Sequence, residues 1–370
     1  RAVLSLFFGC LMLTIIGCIT GSIGARTRLS SYMLVRIAFG DRGAALVNLA
    51  FALSLLGWFG VNIDLFSDAV LRLFDDLFEV SVSPWIVEAA AGLVMTITTI
   101  YGFRAINLLS MLLVPVLMVV TAILISTSLG IRPVSEIFAE RTSSSLSLGD
   151  AISSVVGTVI VGAVILPDIT RFIRQWRGAI FTALLSYLVI QFIVMSAGGL
   201  AAAALANDHM LDIMIVMGLG LAAFAIVIAG SWVLNSLNLY STMLSVEATL
   251  PGLNHKLLVA TLGTLGTAAA FLNILDYFLT FLFYLAIVFV PVAGVIATDY
   301  VFVRRSAYHA DRLALQRPVA PLAIVAWAAG AVVALLGAEG FVSLSGIAAV
   351  DAMVISAALY LILTKRVAKR

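Results

Sequence analysis

Apolar runs long enough to cross a bilayer recur along almost the whole chain, and no other feature constrains its fold as strongly. The stretch Ala2–Gly24 reads AVLSLFFGCLMLTIIGCITGSIG, without one charged side chain. About 20 apolar residues in a helix span the ~30 Å hydrocarbon core. Eleven such spans are expected: Ala2–Gly24, Leu46–Val70, Ile86–Tyr101, Asn107–Leu129, Ala151–Pro167, Ala179–Leu205, Ile213–Val246, Leu257–Leu275, Tyr277–Thr298, Val319–Leu336 and Leu344–Thr364. The seventh is too long for one straight crossing, so its end is expected to tilt or to run into the interface. Only 11% of the 370 residues are charged and 63% are hydrophobic, against about 25% charged in a soluble domain. The chain therefore reads as an all-α integral membrane protein, one transmembrane domain over residues 1–370 with no soluble domain.

Basic residues set the orientation. Grouping alternate loops puts Arg26, Arg28, Arg36, Arg42, Arg104, Arg171, Arg174, Arg177, Lys256, Arg304, Arg305, Arg312, Arg317, Lys365, Arg366, Lys369 and Arg370 on one side. The other side receives Arg1, Arg72, Arg132 and Arg141, completing the chain's 21. The rich side is cytoplasmic by the positive-inside rule, which places the C-terminus inside the cell membrane and Arg1 outside. An outside start with no cleavable signal points to a missing first helix. The longest polar connection, Gly130–Asp150, reads as an extracellular loop.

The first span has no basic leader, so it is not read as a signal peptide. Its Gly17-Cys18-Ile19-Thr20-Gly21 has the small-xxx-small pattern of packed membrane helices. Cys10 and Cys18 read as small packing residues rather than a disulfide or metal site. The net charge of +2 is spread over short loops and gives no nucleic-acid surface.

Three spans carry polar residues near their middles, where such side chains are expensive and usually face a cavity or a partner helix. GWFGVNIDLF (Gly57–Phe66) places Trp58 far from the headgroup belts, with Gly57 and Gly60 on either side and Asn62 one turn on. Either the indole and amide wall a pocket for a flat heteroaromatic ligand, or they pack and bond between helices. Asp64 and Asp68 follow. Asp68 lies near the outer end and reads as solvated; Asp64 is unexplained by either reading. In the second span, Gly157-Thr158-Val159-Ile160-Val161-Gly162 precedes Pro167, which suggests a helix broken at mid-membrane, as in transporters. Ordinary glycine packing is the other reading. Asp168 and Arg171, three apart, read as a structural ion pair at the cytoplasmic mouth. The third span has Asn235 and Asn238 on one face, among several hydroxyls.

No HExxH, GxSxG or Walker sequence accompanies these clusters, and His209, His255 and His309 all sit in loops. An enzyme is therefore not expected, nor any cofactor. Mid-membrane polar clusters and a helix able to break point to a secondary transporter.

The stretches GARTRLSSYMLVRIAFG (Gly24–Gly40), GWFGV, LPDITRF (Leu166–Phe172) and VPVAGVIATDYVFVRR (Val290–Arg305) resemble the nucleobase:cation symporter-1 family, in its cytosine permease-like branch. The resemblance runs through the chain in order. It implies a leucine-transporter-type inverted-repeat bundle of twelve helices, of which eleven are present and the first is lacking. By the same resemblance Trp58 is the stacking residue, Thr158 and Val159 touch the base, and Asn235 contributes from the later helix. The cytosine permease pattern has a glutamine where this chain has Leu55 and a phenylalanine where it has Val159. Asn62 stands one turn from the tryptophan as a substitute amide. Sodium-dependent members carry two hydroxyl residues where this chain has Val233 and Leu234. The expected activity is import of a nucleobase or related flat heterocycle by a monomeric carrier in the lipid bilayer. Protons rather than sodium are the expected coupling ion, with Asp64 the candidate carrier. The alternatives are a carrier of the same fold for amino acids or a thiamine-precursor pyrimidine, and a receptor that does not transport.

Overall fold

A computed structural model describes residues 1–101, 103–139, 146–207, 209–250, 252–271 and 274–368. Arg141, Lys369 and Arg370 of the charge pattern lie outside the described residues, as do 140–145 of the long loop and 272–273 of the eighth expected span. Among the described residues the chain is helical, with no strand.

In chain order the helices are α1 (Ala2–Thr27), α2 (Ser31–Phe39), α3 (Asp41–Phe78), α4 (Pro84–Tyr101), α5 (Phe103–Ile131), α6 (Val134–Ala139), α7 (Leu148–Val164) and α8 (Pro167–Thr170). They continue with α9 (Trp176–Leu205), α10 (Met210–Leu219), α11 (Leu221–Thr249), α12 (His255–Ala270), α13 (Phe278–Val303), α14 (Pro321–Ala338) and α15 (Ala348–Ala368). Local chemistry fixes several ends. Ser30, Ser147 and Asn254 cap α2, α7 and α12 by accepting from the backbone N–H of Met33, Asp150 and Leu257.

Ten helices among the described residues are long and apolar enough to cross a membrane. The eighth expected span is instead α12, a helix of 16 residues, about 24 Å at 1.5 Å per residue. The seventh is not one tilted helix. The chain breaks at Gly218 (φ 90°) and Gly220 (φ 50°, ψ −132°), which separates α10 from α11. Only glycine adopts such backbone conformations without strain.

The chain forms two compact units. The first comprises 1–50, 144–192 and 279–370. Here α1 lies along α7, α8 and α9 through Gly17, Gly21 and Gly24; a Cβ on Gly24 would come within 2.6 Å of Pro167 Cα. The small-residue pattern thus serves packing, and Cys10 and Cys18 are free thiols. The second unit comprises 51–143 and 193–278. Its apolar core joins α3, α4, α11 and α12 through Phe59, Ile63, Met95, Leu239, Val259 and Leu262. A second cluster brings α5, α9 and α10 to the same unit through Leu124, Ala201, Leu211 and Met214.

The helix break expected at Gly157–Gly162 is absent. α7 runs unbroken through these residues to Val164, and the chain leaves the helix only at Ile165 and Leu166, just before Pro167. Gly157 is a packing glycine: a Cβ there would fall 1.8 Å from the carbonyl oxygen of Leu282 on α13. Two backbones in contact leave no room for a side chain.

Candidate functional site

In the second unit, Trp58 sits near the middle of α3. Every other residue from Gly57 to Ile63 is buried, and Trp58 alone is partly open. Its indole meets Phe278 edge-on, with ring centroids 5.7 Å apart and planes at 83°. Asn62 shares the face one turn on, but it is buried and its Nδ2 donates to the Trp58 carbonyl at 2.8 Å. That proton donor is committed to its own helix. Asp64 is partly buried on α3, while Asp68 is exposed and pairs with Arg72 at 3.2 Å, which also pairs with Asp212.

Asn235 on α11 is fully buried. Its Nδ2 donates to the Phe59 carbonyl at 2.8 Å and lies 3.2 Å from Met95 Sδ, so it ties α11 to α3 and α4 beside Trp58. Its Oδ1 and the Ser236 hydroxyl are buried with no hydrogen-bond partner among the described residues. Asn238, three residues on, is partly open. Val233 is buried at 7% exposure, whereas Leu234 is 50% exposed and apolar; neither offers an oxygen.

The first unit holds a comparable opening. From Ile152 to Val161 only Thr158 and Val159 are partly open. Thr158 donates to the Val155 carbonyl at 2.7 Å and accepts from Gln191 Nε2 at 3.1 Å. Gln191 ends a π-helical stretch of α9, Leu184–Gln191, an irregularity that recurs at functional positions. This amide was not among the residues singled out from the sequence. Nothing near it in the chain marks it, because its partner is 33 residues away.

Asp168 makes its hydrogen bonds to Ser31, accepting from the backbone N–H at 2.8 Å and the hydroxyl at 2.9 Å. It therefore anchors the start of α2. Arg171 places its guanidinium over the Phe172 ring at 4.8 Å.

A further charged centre lies in the first unit. Asp299, fully buried at the end of α13, accepts from Arg304 Nε and Nη2 at 2.9 Å each, Tyr308 Oη at 2.8 Å and Tyr360 Oη at 2.7 Å. Arg304 Nη2 also donates to the Ile37 carbonyl of α2 at 3.0 Å. Burial and the adjacent carboxylate push the Tyr308 hydroxyl well above the ordinary tyrosine range. Burial opposes the Arg304 cation, but the hydrogen bonds and charge of Asp299 outweigh it, so the guanidinium stays protonated. A lone carboxylate in the apolar run VIATDY was the visible signal for this centre.

Comparison with known proteins places this arrangement. The chain is 30% identical over 361 residues to the cytosine permeases of Escherichia coli strain K12 and O157:H7, covering 97% of this chain and 82% of each relative. The inward-facing conformation of Mhp1 superposes with a TM-score of 0.85 at 19% identity, covering all of this chain (100%) and 84% of that one. Mhp1, a nucleobase-cation-symport-1 transporter, in a closed conformation with bromovinylhydantoin bound gives 0.82 at 21%, covering 100% and 86%. A Na+-coupled sialic acid symporter shares the fold at 0.63 and 14% identity, covering 100% and 83%. The fold is thus the leucine-transporter-type bundle that the resemblance implied. Residues 1–362 match the family described as permease for cytosine/purines, uracil, thiamine and allantoin, and the chain belongs to that family of membrane permeases.

Proposed function

We propose that this permease imports a nucleobase or related flat heterocycle by alternating access, driven by protons or uncoupled rather than driven by sodium. It would do so as a monomer in the cell membrane with its C-terminus in the cytoplasm. The observation that carries the reading is Trp58, the one open position in a buried stretch of α3 and an aromatic face at mid-span. The bound hydantoin of Mhp1 and the cytosine transported by the bacterial relatives are flat heterocycles of the kind an indole stacks on.

In this reading Trp58 supplies stacking and Asn238, partly open in the same unit, an edge contact, while Thr158 and Val159 are the partly open positions that α7 offers in the first unit. Gly57, Asn62 and Asn235 are buried; Asn62 bonds back to the Trp58 carbonyl of its own helix, and Asn235 holds α11 against α3 through the Phe59 carbonyl. Asn235 acts on the base indirectly, by fixing the α3 turn that carries Trp58. Against sodium stands the loss of two hydroxyl ligands at Val233 and Leu234, since a hard cation needs about six oxygens. Asp64 is the proposed proton carrier, a carboxyl in the same span as Trp58.

The test is uptake of labelled cytosine, uracil and hydantoin by the full-length protein in proteoliposomes, with sodium and proton gradients imposed separately. Base stacking is worth about 1–3 kcal/mol, so Trp58→Ala should weaken affinity roughly 5- to 150-fold. Trp58→Phe should keep part of it. Unchanged affinity in Trp58→Ala refutes the stacking role. Uptake that requires sodium and ignores a proton gradient refutes the coupling. Proton dependence that survives Asp64→Asn clears Asp64 alone.

A further inference from the structure

At the arginine-rich end of α1 the first unit carries a pocket of about 430 Å³ lined by Arg26, Arg28, Arg174, Gln175, Trp176 and Arg177. We propose that it binds the phosphate of an anionic phospholipid headgroup.

The pocket is built by one of its own arginines. Arg28 follows α1 in a left-handed conformation, φ 63°. Its guanidinium donates to the carbonyls of Arg171 at 2.7 Å, Ile173 at 2.6 Å and Arg174 at 3.2 Å. Those three bonds pin the turn between α8 and α9 against the end of α1. The first turn of α9 then stands beside Arg26, whose guanidinium lies 4.5 Å from the centre of the Trp176 ring. Arg177 approaches the same indole at 5.9 Å.

The charges gathered there lack counter-charges. No carboxylate lines the pocket, and no ion pair joins Arg26, Arg174 or Arg177 to an acid among the described residues. Like charges brought together on one indole repel unless an anion sits among them, and guanidinium forks match phosphate oxygens. α9 also begins here without a side-chain cap; the Gly178 N–H bonds to the Gln175 carbonyl at 2.9 Å, which leaves the N–H groups of Trp176 and Arg177 available to the same anion.

The surroundings favour a lipid over a soluble phosphate. Ile169, Phe172 and Phe181 flank the cluster and are 65%, 74% and 65% exposed, as side chains facing acyl chains are. A tryptophan at the end of a spanning helix is a headgroup-level anchor. An arginine near a membrane surface contributes about 1 kcal/mol to anionic lipid attraction. Each one lost should therefore weaken binding about 5-fold, and three about 100-fold.

The experiment titrates the purified full chain in detergent with dioleoylphosphatidylglycerol, dioleoylphosphatidylcholine and soluble glycerol 3-phosphate, and reads the first bound molecule by native mass spectrometry. Phosphatidylglycerol should bind well ahead of the other two. The triple variant R26Q/R174Q/R177Q should lose that preference, and Arg177→Gln alone should weaken it about 5-fold if the triple variant fails to fold. The variant R312Q/R317Q/K365Q removes the same charge elsewhere and should bind like the parent. Equal binding of the two lipids, or equal loss in both triple variants, overturns the site. Competition by glycerol 3-phosphate at matched concentration overturns the lipid as its occupant. Substrate uptake need not change in any arm, so failure here is distinguishable from failure of the transport reading.

Discussion

Replacing Asp299 with alanine removes the acceptor of four hydrogen bonds at once and leaves the Arg304 cation without its counter-ion. The Asp299 side chain is 0% exposed and that of Arg304 21%, so water can take over only part of the lost contacts. Hydrogen bonds to a charged group contribute about 1.5–3 kcal/mol each. They are not additive within one network, and breaking a buried pair by removing one partner costs about 3–5 kcal/mol. That is the loss expected for Asp299→Ala. Tyr308 and Tyr360 donate to different oxygens of Asp299, so Asp299→Asn keeps an acceptor for one of them and should lose less. The measurement is unfolding of the detergent-solubilised protein by sodium dodecyl sulfate titration, read by far-UV circular dichroism. A double-mutant cycle of Asp299→Asn with Arg304→Gln should give a coupling above about 1 kcal/mol, because the pair shares two short hydrogen bonds. An alanine variant within about 1 kcal/mol of the parent would refute the idea that this centre holds the unit together.

Tyr308 has its hydroxyl pushed above the usual value of 10.0. The folded state therefore keeps a proton that the unfolded chain gives up, so stability present below pH about 10 falls as pH rises through that value; melting between pH 8 and 11 should show the fall, and Tyr308→Phe should flatten it. Gly157→Val places a side chain where the Leu282 carbonyl lies 1.8 Å from a Cβ; overpacking costs about 1–3 kcal/mol or more, and the thermal unfolding midpoint should drop while Gly162→Ala, whose nearest neighbour is the Val159 side chain at 3.0 Å, drops less. Asn235→Leu removes the bond to the Phe59 carbonyl and should lower stability by about 1 kcal/mol together with substrate affinity, both measured on the same preparation.

Most of the bundle was legible because an apolar run of span length has one solution in a bilayer. α1, α13 and α15 follow directly from it. Where the reading failed, the missing information lay in another segment. Glycine at position 157 signals either a break or a close approach, and only the Leu282 carbonyl decides between them. The glycines at 218 and 220 did break a helix, and their spacing of two was the local sign of it. Trp58 was recognisable as out of place in its span, whereas its contact with Phe278 pairs residues more than two hundred positions apart. The spacing from Trp58 suggests that Asn62 is a ligand amide, but its donor turns back to the Trp58 carbonyl of its own helix. The Asp299 stretch, with Arg304, is visible as a family motif, yet the fourth donor, Tyr360, lies 61 residues away, where no local pattern connects it.

The order in which those donors are synthesised has a consequence for how the chain enters the membrane. Arg304 follows the carboxylate by five residues and Tyr308 by nine. Asp299 therefore leaves the ribosome with its neutralising partner already close behind it, and the charge is internally compensated before α13 is released into lipid. Tyr360 follows 61 residues later, about 3–12 s at 5–20 residues per second. In that interval α14 must insert and α15 must emerge. α15 then arrives to find the polar socket already begun, and its Tyr360 hydroxyl completes it at 2.7 Å from Asp299 Oδ1. Vectorial synthesis thus makes the buried carboxylate a docking mark for α15.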